Sequence, residues 1–592
     1  MTPATLASAI PLASASASVT PSSALPPHAF QAPVIGTWGA PFDFASWCAL
    51  GLAAVFVLLA FSGSGAQLIA TLFSPHRPHD PALKTYSRRR YLTVVGFAAA
   101  FLSLGFIEVY LRGGPRVIDA TTYFLQGRAL SHGLLTWHSF DPSALHRGRF
   151  LFFREPDRLS GIFPPGYPML LAAGFRIGAP MVVGPVLAAA LVLVTYFLTG
   201  ELFLDDRKKR SSPTQARDAE MVARFGATIS VLCVTLRYHT ADTMSHGASA
   251  LGVALALACA LRARRMDDGW LFACSGVGLG FVIATRTVSS FALALVIVQI
   301  AYEHRRFVKS LACIAIGAFP GFFLLISANH LATGEWLHPT QLAYYAVADG
   351  PPDCYRYGFG SGVGCLFEHR DFVQAHLTNG YGLVEALGTT FRRLRYHITD
   401  AYNFELLFVV VAFLTARLAK VSRATRSVVA LIVLHMLAYA PFYFDGNYPG
   451  GGARIFADVL PVEHALAAFV LARSLPNVPF ARRALLFLAT MAFGFAIHES
   501  FDEKLLADRD GGRPAYEPDL AREAEVDHGL FFLDSDAAFD LAYTPEATAS
   551  HGVLAVRLRN DDHDRYVFDA LGHPTTHVYR FGKEKSTVES FT

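Results

Sequence analysis

Continuous apolar runs recur twelve times along the chain, near 45–66, 91–111, 180–203, 223–237, 244–263, 269–286, 287–303, 309–328, 404–419, 427–444, 455–474 and 482–497. A chain patterned this way has few folds open to it. In lipid the backbone N–H and C=O groups find no water, so such a run crosses as a helix or does not cross. Several runs fall short of the roughly 20 residues that a straight crossing needs. Composition agrees with the pattern: 53% of the 592 residues are hydrophobic and 16% charged, with mean hydropathy +0.36. Soluble domains carry about 25% charged residues. The net charge of +3 is too small to imply a nucleic-acid partner. The expected fold is an all-α polytopic membrane protein of about 12 helices.

The charge that is present gathers in short connections. "HRPHDPALKTYSRRR", "DDRKKRSSPTQARDAEMVAR", "LRARR", "HRRFVK", "RLAKVSRATR" and "RSLPNVPFARR" alternate with poorly basic turns. By the positive-inside rule these six lie on the cytoplasmic side and both termini outside. The expected setting is a plasma (inner) membrane, with membrane lipids as partners. The outer loop 112–164 runs against the bias with seven arginines; its length and its acids make these functional or paired groups. Residues 1–42, rich in Ala, Ser, Thr and Pro, read as a disordered tail rather than a cleaved signal peptide. The membrane domain is then 43–497, with large outer loops 112–164 and 330–402. The stretch 498–592 changes character, with charges and short strand-like runs such as "GLFFLDSD" and "GVLAVRL". It reads as a small outer α/β module. No internal repeat of fixed period occurs. Five of the seven cysteines fall in apolar runs, while Cys354 and Cys365 share one polar outer loop and are expected to pair in an oxidising compartment.

One outer stretch, "RLSGIFPPGYPMLLAAGF" (158–175), sets a stiff turn before an apolar run too short to cross. Proline fixes φ and lacks an N–H, so "PPGYP" starts a helix and cannot sit inside one. Irregular backbone at that depth survives where it lines a cavity or is buried in protein. The turn is therefore expected in a cavity wall at the outer membrane surface.

The residues around it carry a resemblance. The second apolar run leads into "GGPRVIDATTYFLQGRALSHGLLT", and the chain continues to "GIFPPGYPMLLAAGF". "RYHTADTMSHGASALGVALALACAL", "ATRTVSS", "NHLATGEWLHPT" and "GNYPGGGARIFADVLPVEHAL" follow in order. Over about 90–475 this series resembles the GT-C glycosyltransferases, which include the protein O-mannosyltransferases and the lipid A aminoarabinose transferases. The resemblance implies transfer of a sugar from a polyprenyl-phosphate donor to a lipid, glycan or protein acceptor in an outward-facing cavity. Such chemistry needs a base for the acceptor proton and cations to steady the leaving phosphate. Asp119 stands where the family has its catalytic acid; the bland reading is a helix-end acid. Asp242 would be a second acid in the same cavity or a solvated turn residue.

Substrate-binding roles are expected for Tyr123, Arg154, Tyr167, His239, His246, Arg286 and Arg454. Arg454 follows three glycines at a helix start, where bare N–H groups and a guanidinium can hold a phosphate. Its alternative is a loop salt bridge. Arg286 sits between two short runs, where an unpaired charge is expensive, or it snorkels. Tyr167 is a ligand or a packing aromatic. The aminoarabinose transferases have charged residues before the two prolines. Phe163 stands there in this chain, which argues against that substrate class, and Arg154, Glu155 and Arg158 are the nearby charges. The His239, Asp242 and His246 spacing lacks a strong ligand motif, so no metal is assigned; a divalent cation stays open and no other cofactor is expected. The long aromatic loop 330–402 is expected to cap the cavity. A secondary transporter, or an anchor presenting the C-terminal module, are the rival readings. The first lacks paired hydropathy halves, and the second has no need of ionisable residues and Pro-Gly turns at the outer helix ends.

Overall fold

The computed structural model describes residues 44–63, 87–138, 150–155, 158–205, 213–347, 353–418, 423–474, 477–512, 517, 519–535, 552–559, 561–582 and 586–591. The tail 1–42 and the Glu155 side chain lie outside the described residues.

Among the described residues each of the twelve apolar runs falls largely on helix, with the run 223–237 broken at Cys233. By length and composition seven described helices can cross a membrane, or up to nine if each of two bent pairs is one span. Gly269–Ile283 and Thr287–Tyr302 are apolar but shorter. The chain is a multi-pass membrane protein. The short helix Gly269–Ile283 packs closely on the long helix Phe307–Thr333. Gly276 and Gly280 meet the backbone of Ile314 and Ala318, and Gly317 and Gly321 meet that of Ala273 and Gly280, so closely that a Cβ at any of them would overlap. Small residues four apart on both partners let two membrane helices approach at backbone distance, where van der Waals contact replaces the missing hydrophobic drive.

Among the described residues, the ends of several basic connections come together. Arg264 reaches both Asp205 and Glu303, the latter at 2.8 Å, and Arg265 meets Glu201 at 2.7 Å. Asp267 pairs with His304 and Arg305, and Arg482 donates to the Ala60 carbonyl at 3.1 Å. Charges at helix ends are paired there, which lowers the cost of placing them beside lipid. Two of the arginines of the loop 112–164 that run against the charge bias find backbone partners at the far end of the last long helix. Arg112 donates to the Ala507 carbonyl, and Arg116 to those of Leu506 and Arg509 at 3.1 and 2.8 Å. They cap the open carbonyls of the last long helix, where its dipole favours a cation.

"PPGYP" starts the short helix Gly166–Arg176 as the proline positions require. The Gly166 N–H donates to the Ala284 carbonyl at 2.7 Å, and a Cβ there would collide with Thr285. The turn is thus seated in the break between Gly269–Ile283 and Thr287–Tyr302, and the half-length helix packs on Ile118–Ser131 through Gly127 and Leu171. A small sheet precedes the half-length helix, in which Arg158–Gly161 pairs antiparallel with both Trp137–His138 and Leu151–Glu155. Cys354 and Cys365 are disulfide-bonded.

The last long helix continues to Asp508 through a π-turn, so the sheet of the C-terminal module begins further on, at Gly529. Strand Gly529–Leu533 lies between Val553–Arg557 and Thr576–Arg580, parallel to both, and Thr587–Ser590 closes the sheet antiparallel. Alternation decides what each face covers. Leu530, Phe532, Leu554 and Val556 pack with Val567 of the helix Asp561–Ala570. Phe531, Leu533, Ala555 and Tyr579 pack with Phe124, Leu125 and Ala129 of Ile118–Ser131 and with Trp137, Leu151 and Leu159 of the loop sheet. The module therefore rests on the helix that bears Asp119.

Candidate active site

The helix breaks and the two large loops enclose a cavity of about 1230 Å³ on the face opposite the basic connections. Asp119, Tyr123, His246, Arg286 and Arg454 line it, together with the turn Phe163–Pro165. Residues far apart in sequence thus meet around one space.

Asp119 enters from the first turn of Ile118–Ser131. Its Oδ2 lies 4.0 Å from an Arg454 guanidinium nitrogen, and the two side chains are 28% and 16% exposed. At that separation the carboxylate and the guanidinium form a loose ion pair rather than a hydrogen bond, and a substrate group can meet both from the cavity side. Arg454 is presented by a loop held at several points. The Asp400 Oδ2 accepts from the Ala453 N–H at 2.7 Å, and the His239 Nε2 meets the Gly451 carbonyl at 2.9 Å. Tyr448 and Gly452 exchange backbone bonds of 2.8 and 3.2 Å. The guanidinium also touches the Met244 sulfur at 3.4 Å, a weak acceptor.

Arg286 is spent differently. Its Nε donates to the Asp458 Oδ2 at 3.1 Å, another nitrogen to the Tyr439 hydroxyl at 3.0 Å, and a third lies 3.3 Å from the His246 Nε2. Ser249 and Ser289 donate to the same carboxylate oxygen at 2.8 and 2.6 Å. Asp458 is fully buried, and such an acid is tolerable only because a cation and several donors surround it. Arg286 therefore fixes the helix break as well as lining the cavity.

The Tyr123 ring stacks on Phe163 at 4.2 Å, and its hydroxyl lies 3.0 Å from the Ser245 hydroxyl. Burial pushes this phenol up to about 12, so it works as a neutral hydrogen-bonding group. Phe163, standing where charge was sought, is thus an aromatic wall.

Asp242, Tyr167 and His239 form the layer behind this wall and do not line the cavity. The Tyr167 hydroxyl donates to the Asp242 backbone carbonyl at 3.4 Å. Neither carboxylate oxygen of Asp242 has a hydrogen bond among the described residues, the Tyr238 hydroxyl standing beside it outside ordinary geometry. Burial raises this carboxyl to about 7, against smaller opposing help from Tyr238 and Arg454. Arg154 is exposed, lying over Gly334. Direct substrate contact by His239, Tyr167 and Arg154 does not follow from these placements: His239 is occupied by a loop carbonyl and Tyr167 is fully buried. The His239 and His246 rings stand 5.0 Å apart, and no group of three or more His, Cys, Asp or Glu is placed to hold a metal among the described residues.

Other lining residues were not singled out by sequence. Tyr345 and Tyr355 of the long loop stack at 4.1 Å, as an aromatic cap would. Ser535 and Phe581 come from the C-terminal module. Phe291, Ala294, Phe322, Leu325 and Ile326 extend the cavity as an apolar arm between Thr287–Tyr302 and Phe307–Thr333. Phe291 and Phe322 are 64% and 41% exposed on the helix surface, so the arm opens toward lipid.

No family model matches the chain, and no curated protein matches it. Among solved structures it is similar to ArnT from Cupriavidus metallidurans in the apo state, at 13% identity and TM-score 0.47, over 82% of this chain and 92% of that one. The same protein bound to undecaprenyl phosphate gives 13%, 0.48 and the same coverage. The Archaeoglobus fulgidus oligosaccharyltransferase in complex with Zn and sulfate gives 13% and 0.47, over 83% of this chain and 68% of that one. No residue role is taken from them.

Proposed function

We propose that the cavity is the active site of a membrane glycosyltransferase. It moves a sugar from a polyprenyl-phosphate donor to an acceptor hydroxyl or amine on the extracytoplasmic face of an inner membrane. The observation that carries this reading is the facing pair Asp119 and Arg454 in a cavity whose apolar arm opens to lipid.

The arm suits an isoprenoid tail, since Phe291, Phe322, Leu325 and Ile326 offer apolar surface continuous with the bilayer. A tail lying there brings its phosphate to the polar end of the cavity, where Arg454 can pair with it by charge-assisted bonds. Tyr123, Phe163, Tyr345 and Tyr355 give flat faces for a sugar ring. Asp119 takes the proton from the acceptor as its heteroatom attacks the anomeric carbon. The bond from that carbon to the phosphate oxygen breaks, its electron pair stays with the phosphate, and Arg454 steadies the added negative charge. The products are the glycosylated acceptor, polyprenyl phosphate and a protonated Asp119. Asp242 is buried behind the pair and does not line the cavity, so in this reading it does not meet substrate directly.

The test is transfer from a panel of radiolabelled polyprenyl-phosphate sugars into membrane extract by the purified chain in lipid. Label entering an acceptor fraction from one donor supports the reading. No transfer from any donor, by protein whose disulfide and fold are intact, overturns it.

A further inference from the structure

We infer that the helix Leu383–Asp400 lies flat on the outer membrane surface, seated by an apolar stripe at the boundary between lipid headgroups and acyl chains. The stripe is Leu383, Leu387, Phe391, Leu394 and Ile398, spaced by four, four, three and four residues, which places them on one side of a helix. The first three are 72%, 64% and 69% exposed. Val384, at its edge, is 76% exposed.

The roll of this helix is fixed from its other side. Ala386, Thr389, Arg393, His397 and Asp400 are buried. The Arg393 guanidinium donates to four carbonyls, those of Tyr439, Phe442, Phe444 and Asp445, at 2.7, 2.6, 2.6 and 3.2 Å. The His397 Nε2 meets Glu463 at 2.9 Å, and Asp400 holds the Ala453 N–H. The stripe therefore cannot turn inward.

Its occupant follows from the next element. After a short break the chain enters Glu405–Leu418, bent 98° from the first helix. There Leu406, Val409 and Phe413 are 59%, 58% and 56% exposed, the surface of a helix facing acyl chains. With Glu405–Leu418 as the crossing part of this bent pair, a helix nearly perpendicular to it runs parallel to the membrane. The exposed Arg395 flanks the stripe, as suits phosphate headgroups, while Arg392 is turned to Asp445 and the Phe372 ring. Amphipathic helices with this layout sink about 5–10 Å into the interface. The same helix thereby holds the loops of the cavity rim at headgroup level. This inference rests on the membrane reading of the chain and not on sugar transfer.

The test places a nitroxide-bearing unnatural residue singly at 383, 387, 391 and 395 of the full chain, so native cysteines stay. The protein is reconstituted in phosphatidylcholine nanodiscs, with and without phosphatidylglycerol. The expected result is high oxygen and low nickel-chelate accessibility at 383, 387 and 391, at one common depth, with 395 shallower. A crossing helix would instead change depth by about 12 Å between 383 and 391. Such a gradient, free access of the chelate to all four sites, or spin coupling between copies would each overturn the inference.

Discussion

Gly452→Ala adds a Cβ where φ is +51° and where the new atom would overlap the Asp400 carboxylate. Two costs follow. An L-residue in the left-handed region costs about 1–2 kcal/mol. The carboxylate must also move, although its Oδ2 accepts from the Ala453 N–H at 2.7 Å and its Oδ1 from Thr235 at 3.2 Å. Losing one hydrogen bond to a buried charge costs about 1.5–3 kcal/mol. The sum is about 3–5 kcal/mol. Gly178→Ala is the internal control: its φ is +72° and its added Cβ meets nothing within 4 Å, so only the first cost applies. Unfolding of both variants in mixed denaturing and mild detergent micelles reads the difference, expected at about 2 kcal/mol or more. Because Ala453 precedes Arg454, Gly452→Ala also displaces the guanidinium, and binding of the proposed polyprenyl-phosphate donor should weaken in the folded fraction. Equal destabilisation by the two variants would refute the clamp.

Other outcomes follow from single features. Cys354 and Cys365 should resist alkylation until reduced, and Cys354→Ser should destabilise the chain by about 3 kcal/mol through the lost loop closure. Ready labelling of both thiols without reductant would contradict the pairing. Asp242 has a folded pKa raised to about 7 by burial, above the unfolded value of about 4. The fold then favours its neutral form, so this group stabilises below pH ~4 and that contribution is lost as pH rises from ~4 to ~7. Asp242→Asn should flatten that part of the stability profile, and an unchanged slope would show that the carboxyl is not desolvated. A cytoplasm-active reporter fused beyond the C-terminal sheet should be silent, since the module packs on the helix bearing Asp119, opposite the basic connections. An active one would invert the topology.

Much of this architecture is legible in residue order. The apolar runs fall on helices because lipid leaves the backbone no other partner, and "PPGYP" starts a short helix because proline permits only that. Asp119 stands out through the resemblance and Arg454 through the glycines before it, and they face one another. What stayed hidden depends on pairing across the chain. Asp458 sits inside "IFADVLPV", and an acid in such an apolar run is itself a signal of a buried partner. Only the structure shows that partner to be Arg286. His239 reads in sequence as a ligand near Asp242, yet a loop carbonyl more than two hundred residues away occupies it. Ser535 and Phe581 reach the cavity because alternate strand residues dock their module on Ile118–Ser131, and no local pattern announces a docking partner.

The central claim is that Asp119 is the base of a sugar transfer in this cavity. Initial rate per folded molecule, from the active donor of the panel, tests it in Asp119→Asn with Asp242→Asn beside it. Asparagine keeps the shape of aspartate but cannot take the acceptor's proton. Loss of a general base costs about 10²–10⁴ in rate, or about 3–5 kcal/mol. The expected result is that loss for Asp119→Asn, with donor binding and detergent stability retained, and a smaller loss for Asp242→Asn. Near wild-type turnover by folded Asp119→Asn would contradict the account.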